Sequence, residues 1–180
     1  MSPARGVRYW LFKTEPGVFS WEDLEKSPGR RTLWDGVRNY QARNLLRDAM
    51  APGDLAIFYH SEATPPAAVG IVRITKTGIP DPTQFDSGSP YHDPRSRPEE
   101  PRWFAVEVAM ERPLPLPVTL VAMRSIAALA GMELLRRGNR LSVQPVTPGE
   151  WKILERMGGL ARGSKTRPRP RPLARKRRGD

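Results

Sequence analysis

Apolar and polar residues alternate in several short runs separated by turn residues, and longer helical spacings are few. Val7 to Lys13, "VRYWLFK", is rich in β-branched and aromatic residues between Gly6 and Pro16, which predicts a strand. "LAIFYHS" (55–61) and "AVGIVRITKT" (68–77) predict two more strands joined by a Pro-Pro loop, with Gly70 marking a bulge or a close backbone approach. "WFAVEVAME" (103–111) and "RLSVQPV" (140–146) complete the strand signals.

Helix signals fall between these runs. Ser20, with Asp23 three residues on, opens a short helix over "SWEDLEK", and "YQARNLLRDAM" (40–50) places Leu45, Leu46 and Met50 on one face before "PGD". "TLVAMRSIAALAGMELLRR" has helical spacing, with Thr119 as a cap and Gly131 as a break. The strongest signal is "TPGEWKILERMGG": Thr147 caps, Pro148 takes the first helical position, Glu150 closes the box and Gly158 ends it. Residues 78–101 are too long and too rich in Pro, Ser and Asp for a simple connection, so they are expected to be functional or mobile. No repeat occurs and regular βα alternation is missing. The expectation is an α+β domain over residues 1–160, a twisted or barrel-like sheet with several short flanking helices.

Composition narrows the partners. The 180 residues suit one core and contain no cysteine, which excludes disulfides and thiolate metal sites. No apolar run is long enough to span a membrane and no leader-like segment opens the chain, so a soluble cytoplasmic protein is expected. A monomer is favoured. The net charge of +11 is concentrated: residues 161–180 hold nine Lys/Arg and one Asp, while the other 160 residues carry 21 basic and 18 acidic side chains. An Arg-Pro tail with too few apolar residues to support a core is expected to be disordered, and it reads equally as a polyanion-binding arm or a solubilising terminus.

Catalytic signals are sparse. Only His60 and His92 are available as imidazole bases, and no nucleophile elbow or phosphate loop accompanies them. A hydrolase or nucleic-acid-modifying enzyme would have to pair His60 with Glu15 or Asp35. His92 with Asp93, Asp81 and Asp86 is a weak metal candidate at irregular spacing. Neither a metal nor another cofactor is expected.

Binding signals are denser. "WDGVRNYQ" (34–41) combines flat side chains with hydrogen-bonding groups around Gly36, as recognition of a nucleobase requires, and "FYHS" (58–61) adds two aromatic rings and two polar tips. The same residues also read as a buried Trp34, an Asn39 cap and a surface pair of Asp35 with Arg38. In "LLRRGNRLSVQPV", Arg136, Arg137 and Arg140 at a glycine turn, with Ser142 and Gln144 alternating after them, suggest a clamp on a nucleic-acid backbone. A helix C-terminus answered by basic side chains accounts for Arg136 and Arg137, and less well for the other three.

Taken in order, "YWLFKTEP", "FSWEDL", "WDGVRNYQARN", "GDLAIFYHS", "YHDPRS", "PRW" and "LLRRGNRLSVQPV" followed by "EW" resemble the EVE domain family, over about residues 8–156. The resemblance implies a PUA-like fold related to YTH and ASCH domains. It also implies non-catalytic reading of a modified, flipped base, a 5-modified cytosine in DNA or a modified base in RNA. On this basis Lys13, Thr14 and Glu15 are expected at a strand end lining the pocket, with Trp34 as the first wall. Asn39 and Tyr40 are expected at the base edge and helix start, Tyr59, His60 and Ser61 opposite, and Tyr91 and Trp103 as further members. The tail beyond Leu160 lies outside the resemblance.

Overall fold

The computed structural model describes residues 5–160, so the expected disorder and polyanion binding of the tail lie outside the described residues. Six strands form one mixed sheet: β1 (Tyr9–Thr14), β2 (Arg31–Trp34), β3 (Leu55–His60), β4 (Ala67–Pro80), β5 (Phe104–Thr119) and β6 (Val143–Val146). Their order across the sheet is β2-β5-β4-β3-β1-β6. Only β1 and β3 run parallel; every other pairing is antiparallel. The edge strands β2 and β6 do not pair with each other, so hydrogen bonding does not close a barrel among the described residues. Curvature nonetheless brings Phe12 of β1 and Trp34 of β2 to a ring separation of 5.0 Å, although three strands lie between theirs in the sheet.

Strand alternation divides the interior into two clusters. Trp10, Phe12, Ala56 and Phe58 face inward with Trp34, Val72 and Val106; Leu11, Ile57 and Tyr59 point to the other face. The inner face is covered by α1 (Trp21–Lys26) and α2 (Tyr40–Asn44), and the outer by α3 (Leu120–Arg124) and α4 (Pro148–Met157). No helix among the described residues is long and apolar enough to cross a membrane.

The caps act as expected. Ser20 and Asp23 exchange hydrogen bonds at the start of α1, Thr147 and Glu150 do so at α4, and Thr119 accepts from Ala122 N–H at α3. The long helix expected over 40–50 differs in kind: α2 ends at Asn44 and the chain widens into a π turn over Leu45–Ala49. After α3 the expected helix becomes two 3₁₀ turns, at Ala127–Leu129 and Glu133–Leu135. Gly70 meets both expectations. The β4 registers shift beside it, and a Cβ there would lie 2.2 Å from the Trp21 ring.

The segment expected as a loop over 78–101 begins as an extension of β4 to Pro80 and then folds around buried side chains. The Gln84 side chain, fully buried, donates to the carbonyls of Asp81 and Trp103 at 2.7 and 2.9 Å. Its own oxygen accepts from the amides of Arg102 and Trp103 and from the Ser96 hydroxyl. Asp93 accepts from Trp103 Nε1 at 2.8 Å. These bonds satisfy a long irregular stretch internally, so it can serve as a fixed wall.

Candidate base-binding site

A cavity of about 580 Å³ opens where the two ends of the sheet approach each other. One side is built from strand ends: Lys13 and Thr14 at the end of β1 with Glu15 following, Ser61 after β3, and Arg140 with Ser142 before β6. Backbone bonds hold these ends together, from Lys13 N–H to the Ser142 carbonyl at 2.8 Å and from Ser61 N–H to the Thr14 carbonyl at 2.9 Å. Thr14 Oγ1 donates to the Phe19 carbonyl at 3.0 Å, fixing the turn that carries Val18 and Phe19 into the wall.

The opposite side continues from β2 through Trp34, Asp35, Gly36, Val37, Arg38 and Asn39, with Tyr91 from the long loop. Gly36 has φ +71°, and a Cβ there would lie 2.8 Å from the Tyr91 ring, so only glycine suits both the backbone and the ring. Buried Asp81 organises this side. Its carboxylate accepts from Gly36 N–H at 2.9 Å, Arg38 Nη1 at 2.8 Å and Thr83 N–H at 2.8 Å. Arg38 also donates to the Tyr91 carbonyl and to Thr83 Oγ1, both at 2.8 Å. Burial alone would push the Asp81 carboxyl up, but the donors from Arg38, Thr83 and Gly36 outweigh it and hold it below the usual carboxylate range.

Trp34 satisfies both readings of its sequence. The ring is buried against Phe12 and sits edge-on to Phe58 at 5.5 Å, and the residue still forms part of the cavity wall. Asn39 likewise caps α2, its Oδ1 accepting from Ala42 N–H at 3.0 Å, while lining the cavity. The surface pair of Asp35 with Arg38 does not form, because Arg38 is engaged by Asp81. Asp35 is exposed as a residue, yet its carboxyl is raised, first by partial desolvation and then by the charge of Asp81, against the opposing Arg38. Lys13 is lowered by burial, with Glu62 acting in the other direction.

Among the described residues, the side chains of Lys13, Glu15, Asp35, Ser61, Arg140 and Ser142 form no hydrogen bond to another residue. A cavity wall carrying two carboxylates, an ammonium, a guanidinium and two hydroxyls without partners offers donors and acceptors to a ligand. Trp34 offers it a flat apolar surface.

Several expected members lie elsewhere. Tyr59 follows Phe58 in β3, so alternation turns it away from the cavity into the outer cluster, where burial pushes its hydroxyl up to about 12. His60 does not line the cavity: its Nε2 accepts from Trp21 N–H at 3.1 Å, and burial lowers its pKa against the influence of Glu22. Tyr40 and Trp103 stack on one another at 4.9 Å outside the cavity, with the Arg43 guanidinium over Tyr40 at 4.7 Å. Gln144 is fully buried, donating to Asn139 and to the Leu141 carbonyl. Arg136 and Arg137 line a neighbouring depression. No group of three or more potential metal ligands assembles among the described residues; Asp81 and Asp93 of the weak metal candidate serve Arg38 and Trp103.

Val18 left no signal in the sequence, while Asp35 and Arg38 fall inside the 34–41 segment but were expected as a surface pair rather than as cavity lining. Arg38 is a basic residue two positions after Gly36 whose acidic partner lies elsewhere. That partner, Asp81, is 43 residues away.

With this geometry in view, the relatives are informative. Human thymocyte nuclear protein 1 is 41% identical over 163 residues, covering 81% of this chain and 72% of that protein. A crystal structure of human THYN1 in complex with DNA containing 5-methylcytosine superposes with a TM-score of 0.79 at 39% identity, covering 84% of this chain and 97% of that one. An ASCH protein from Zymomonas mobilis shares the fold alone, with a TM-score of 0.50 at 12% identity, over 83% of this chain and 95% of that one. The fold is therefore the expected α+β, PUA-like one, and with residues 8–157 matched to the EVE domain this chain belongs to the EVE family.

Proposed function

We propose that this protein is a non-catalytic reader of a modified nucleobase, with a 5-modified cytosine in DNA as its leading ligand, a modified base in RNA as the other form of the same ligand class, and the cavity beside Trp34 as the base site. The observation that carries this reading is the wall itself: an aromatic surface facing polar side chains that have no partner within the described chain. A volume of about 580 Å³ falls within the roughly 300–1,000 Å³ of small-ligand sites. The crystallised human relative, bound to DNA containing 5-methylcytosine, supports the same choice.

In this reading the base leaves its stack and lies against Trp34. Glu15, Ser61 and the free amide nitrogen of Asn39 meet its hydrogen-bonding edge, and Asp35 provides a further acceptor for an exocyclic amino group. The absence of turnover in this proposal is supported by the placement of the imidazoles. His60 uses its acceptor nitrogen on the α1 backbone, and neither histidine lines the cavity. The reading places the protein with nucleic acid inside the cell.

The test is a titration of wild type and Trp34→Ala with matched oligonucleotides that differ by one 5-methylcytosine. Wild type is expected to prefer the methylated strand. The variant is expected to lose about 1–3 kcal/mol of that binding, the range for one base–aromatic stack. Equal affinity of the two proteins for the methylated oligonucleotide would sink the proposal.

A further inference from the structure

Beside the base cavity, and sharing Asn39 and Arg140 with it, lies a second depression of about 370 Å³ formed by Glu133, residues 136–141 and the start of α2. The turn there is stiffened from within. Asn139 Nδ2 donates to the Glu133 carbonyl at 2.9 Å and to its carboxylate at 2.6 Å, while Asn139 Oδ1 accepts from Leu141 N–H at 2.9 Å and from the Gln144 amide at 3.0 Å. Gly138, at φ +76°, reverses the chain between the arginines.

The three arginines of this turn are not equivalent. Arg136 pairs with the Glu133 carboxylate at 2.9 Å, which partly offsets its charge and holds its side chain. Arg137 and Arg140 are exposed and have no acidic partner among the described residues. Two guanidiniums without counter-ions beside a turn held by Asn139 supply the charge and the forked donors that a phosphodiester takes. Because Asn39 and Arg140 line both depressions, the two sites adjoin.

We propose that the second depression holds the phosphodiester next to the base that is read, with Arg137 and Arg140 as its donors and Arg136 held back by Glu133. This rests on the base-reading proposal, since the two depressions then take adjoining parts of one strand. The consequence is a ligand class: a nucleotide within a strand, rather than a free base or nucleoside.

The experiment measures variants of the 180-residue chain against a duplex carrying one 5-methylcytosine and against its unmethylated twin, across a salt series. Because every variant keeps the basic residues 161–180, their contribution cancels in the comparison. Arg137→Ala is expected to bind both duplexes several-fold more weakly, by the same factor, with the slope of log affinity on log salt reduced by about 1. Glu133→Gln keeps an oxygen for Asn139, removes the opposing charge and releases Arg136, so both duplexes are expected to bind more tightly. Circular dichroism checks that each variant is folded. An unchanged salt slope in Arg137→Ala, or no tightening in Glu133→Gln, would overturn the phosphate site. Should Trp34→Ala leave the methylation preference intact while the arginine and glutamate variants behave as described, the base reading fails and the phosphate site stands.

Discussion

The two walls of the base cavity are built on opposite principles. On the strand-end side, Lys13, Glu15, Ser61 and Ser142 present polar side chains without hydrogen-bond partners among the described residues. Across from them, Arg38 is held by Asp81, Thr83 and the Tyr91 carbonyl, and Gly36 N–H is held by Asp81. These groups stay within reach of solvent, since among the described residues the buried side-chain polar atom without a partner is Gln144 Oε1, so a ligand can take the place of water on them. The loop-side wall is thus a brace, and the strand-end wall is the surface free to read a ligand.

The largest effect should come from breaking the brace. Asp81→Ala removes the acceptor shared by Gly36, Arg38 and Thr83 and leaves a partly buried guanidinium without its counter-ion. A loss of about 3 kcal/mol of stability is expected in urea unfolding, at the low end for breaking a buried pair because Arg38 keeps some solvent contact. The pH dependence follows from the depressed Asp81 carboxyl, and from Asp93, which is lowered first by its bond from Trp103. A carboxyl held below its unfolded value contributes stability that is fully present above that unfolded value, near 3.8, and is lost as pH falls through the folded one. Wild type should therefore lose stability more steeply in that acid range than Asp81→Ala does. Equal acid limbs would show that Asp81 is not a brace of consequence.

How much of this was legible depended on whether the signal was local. The boxes at Ser20/Asp23 and Thr147/Glu150 and the Asn39 cap are short-range chemistry, and they could be read directly from spacing. Tyr59 was misplaced although the information was present: "LAIFYHS" alternates, and once Phe58 faces the inner cluster its neighbour must face the outer one. Strand β2 carried little signal, being four residues long at a sheet edge. Tyr40 and Trp103, expected as cage members, instead stack on each other across 63 positions of sequence, a pairing that no local pattern encodes. Trp34 shows why aromatic residues mislead in both directions, since one ring serves the core and the cavity together.

A smaller perturbation tests how closely the brace is fitted. Gly36→Ala places a Cβ against the Tyr91 ring and holds a side chain at φ +71°. The expected cost is about 1–2 kcal/mol, from the left-handed backbone alone. Displacement of Tyr91 should also weaken binding of a methylated oligonucleotide. Stability loss without any change in binding would separate Tyr91 from the reading surface and leave it to the brace.

Asp35 lies on the loop side yet, like the strand-end groups, has no hydrogen-bond partner among the described residues, and the smallest predicted effect decides which role it serves. Its carboxyl is raised by partial desolvation and by Asp81, so the native protein holds that proton more tightly than the unfolded chain does. The penalty for ionising it is fully present above the folded value and vanishes below the unfolded one. Asp35→Asn removes the penalty and should make the protein slightly more stable at neutral pH, a gain that disappears in strong acid. If the carboxylate is kept because it accepts from a bound base, the same variant should bind the methylated oligonucleotide more weakly, and Asp35→Ala more weakly still, since Asn retains one acceptor oxygen. A variant that is more stable and a poorer binder assigns Asp35 to the reading wall. Loss of stability assigns it to the brace, and a gain in stability with unchanged binding removes it from the site.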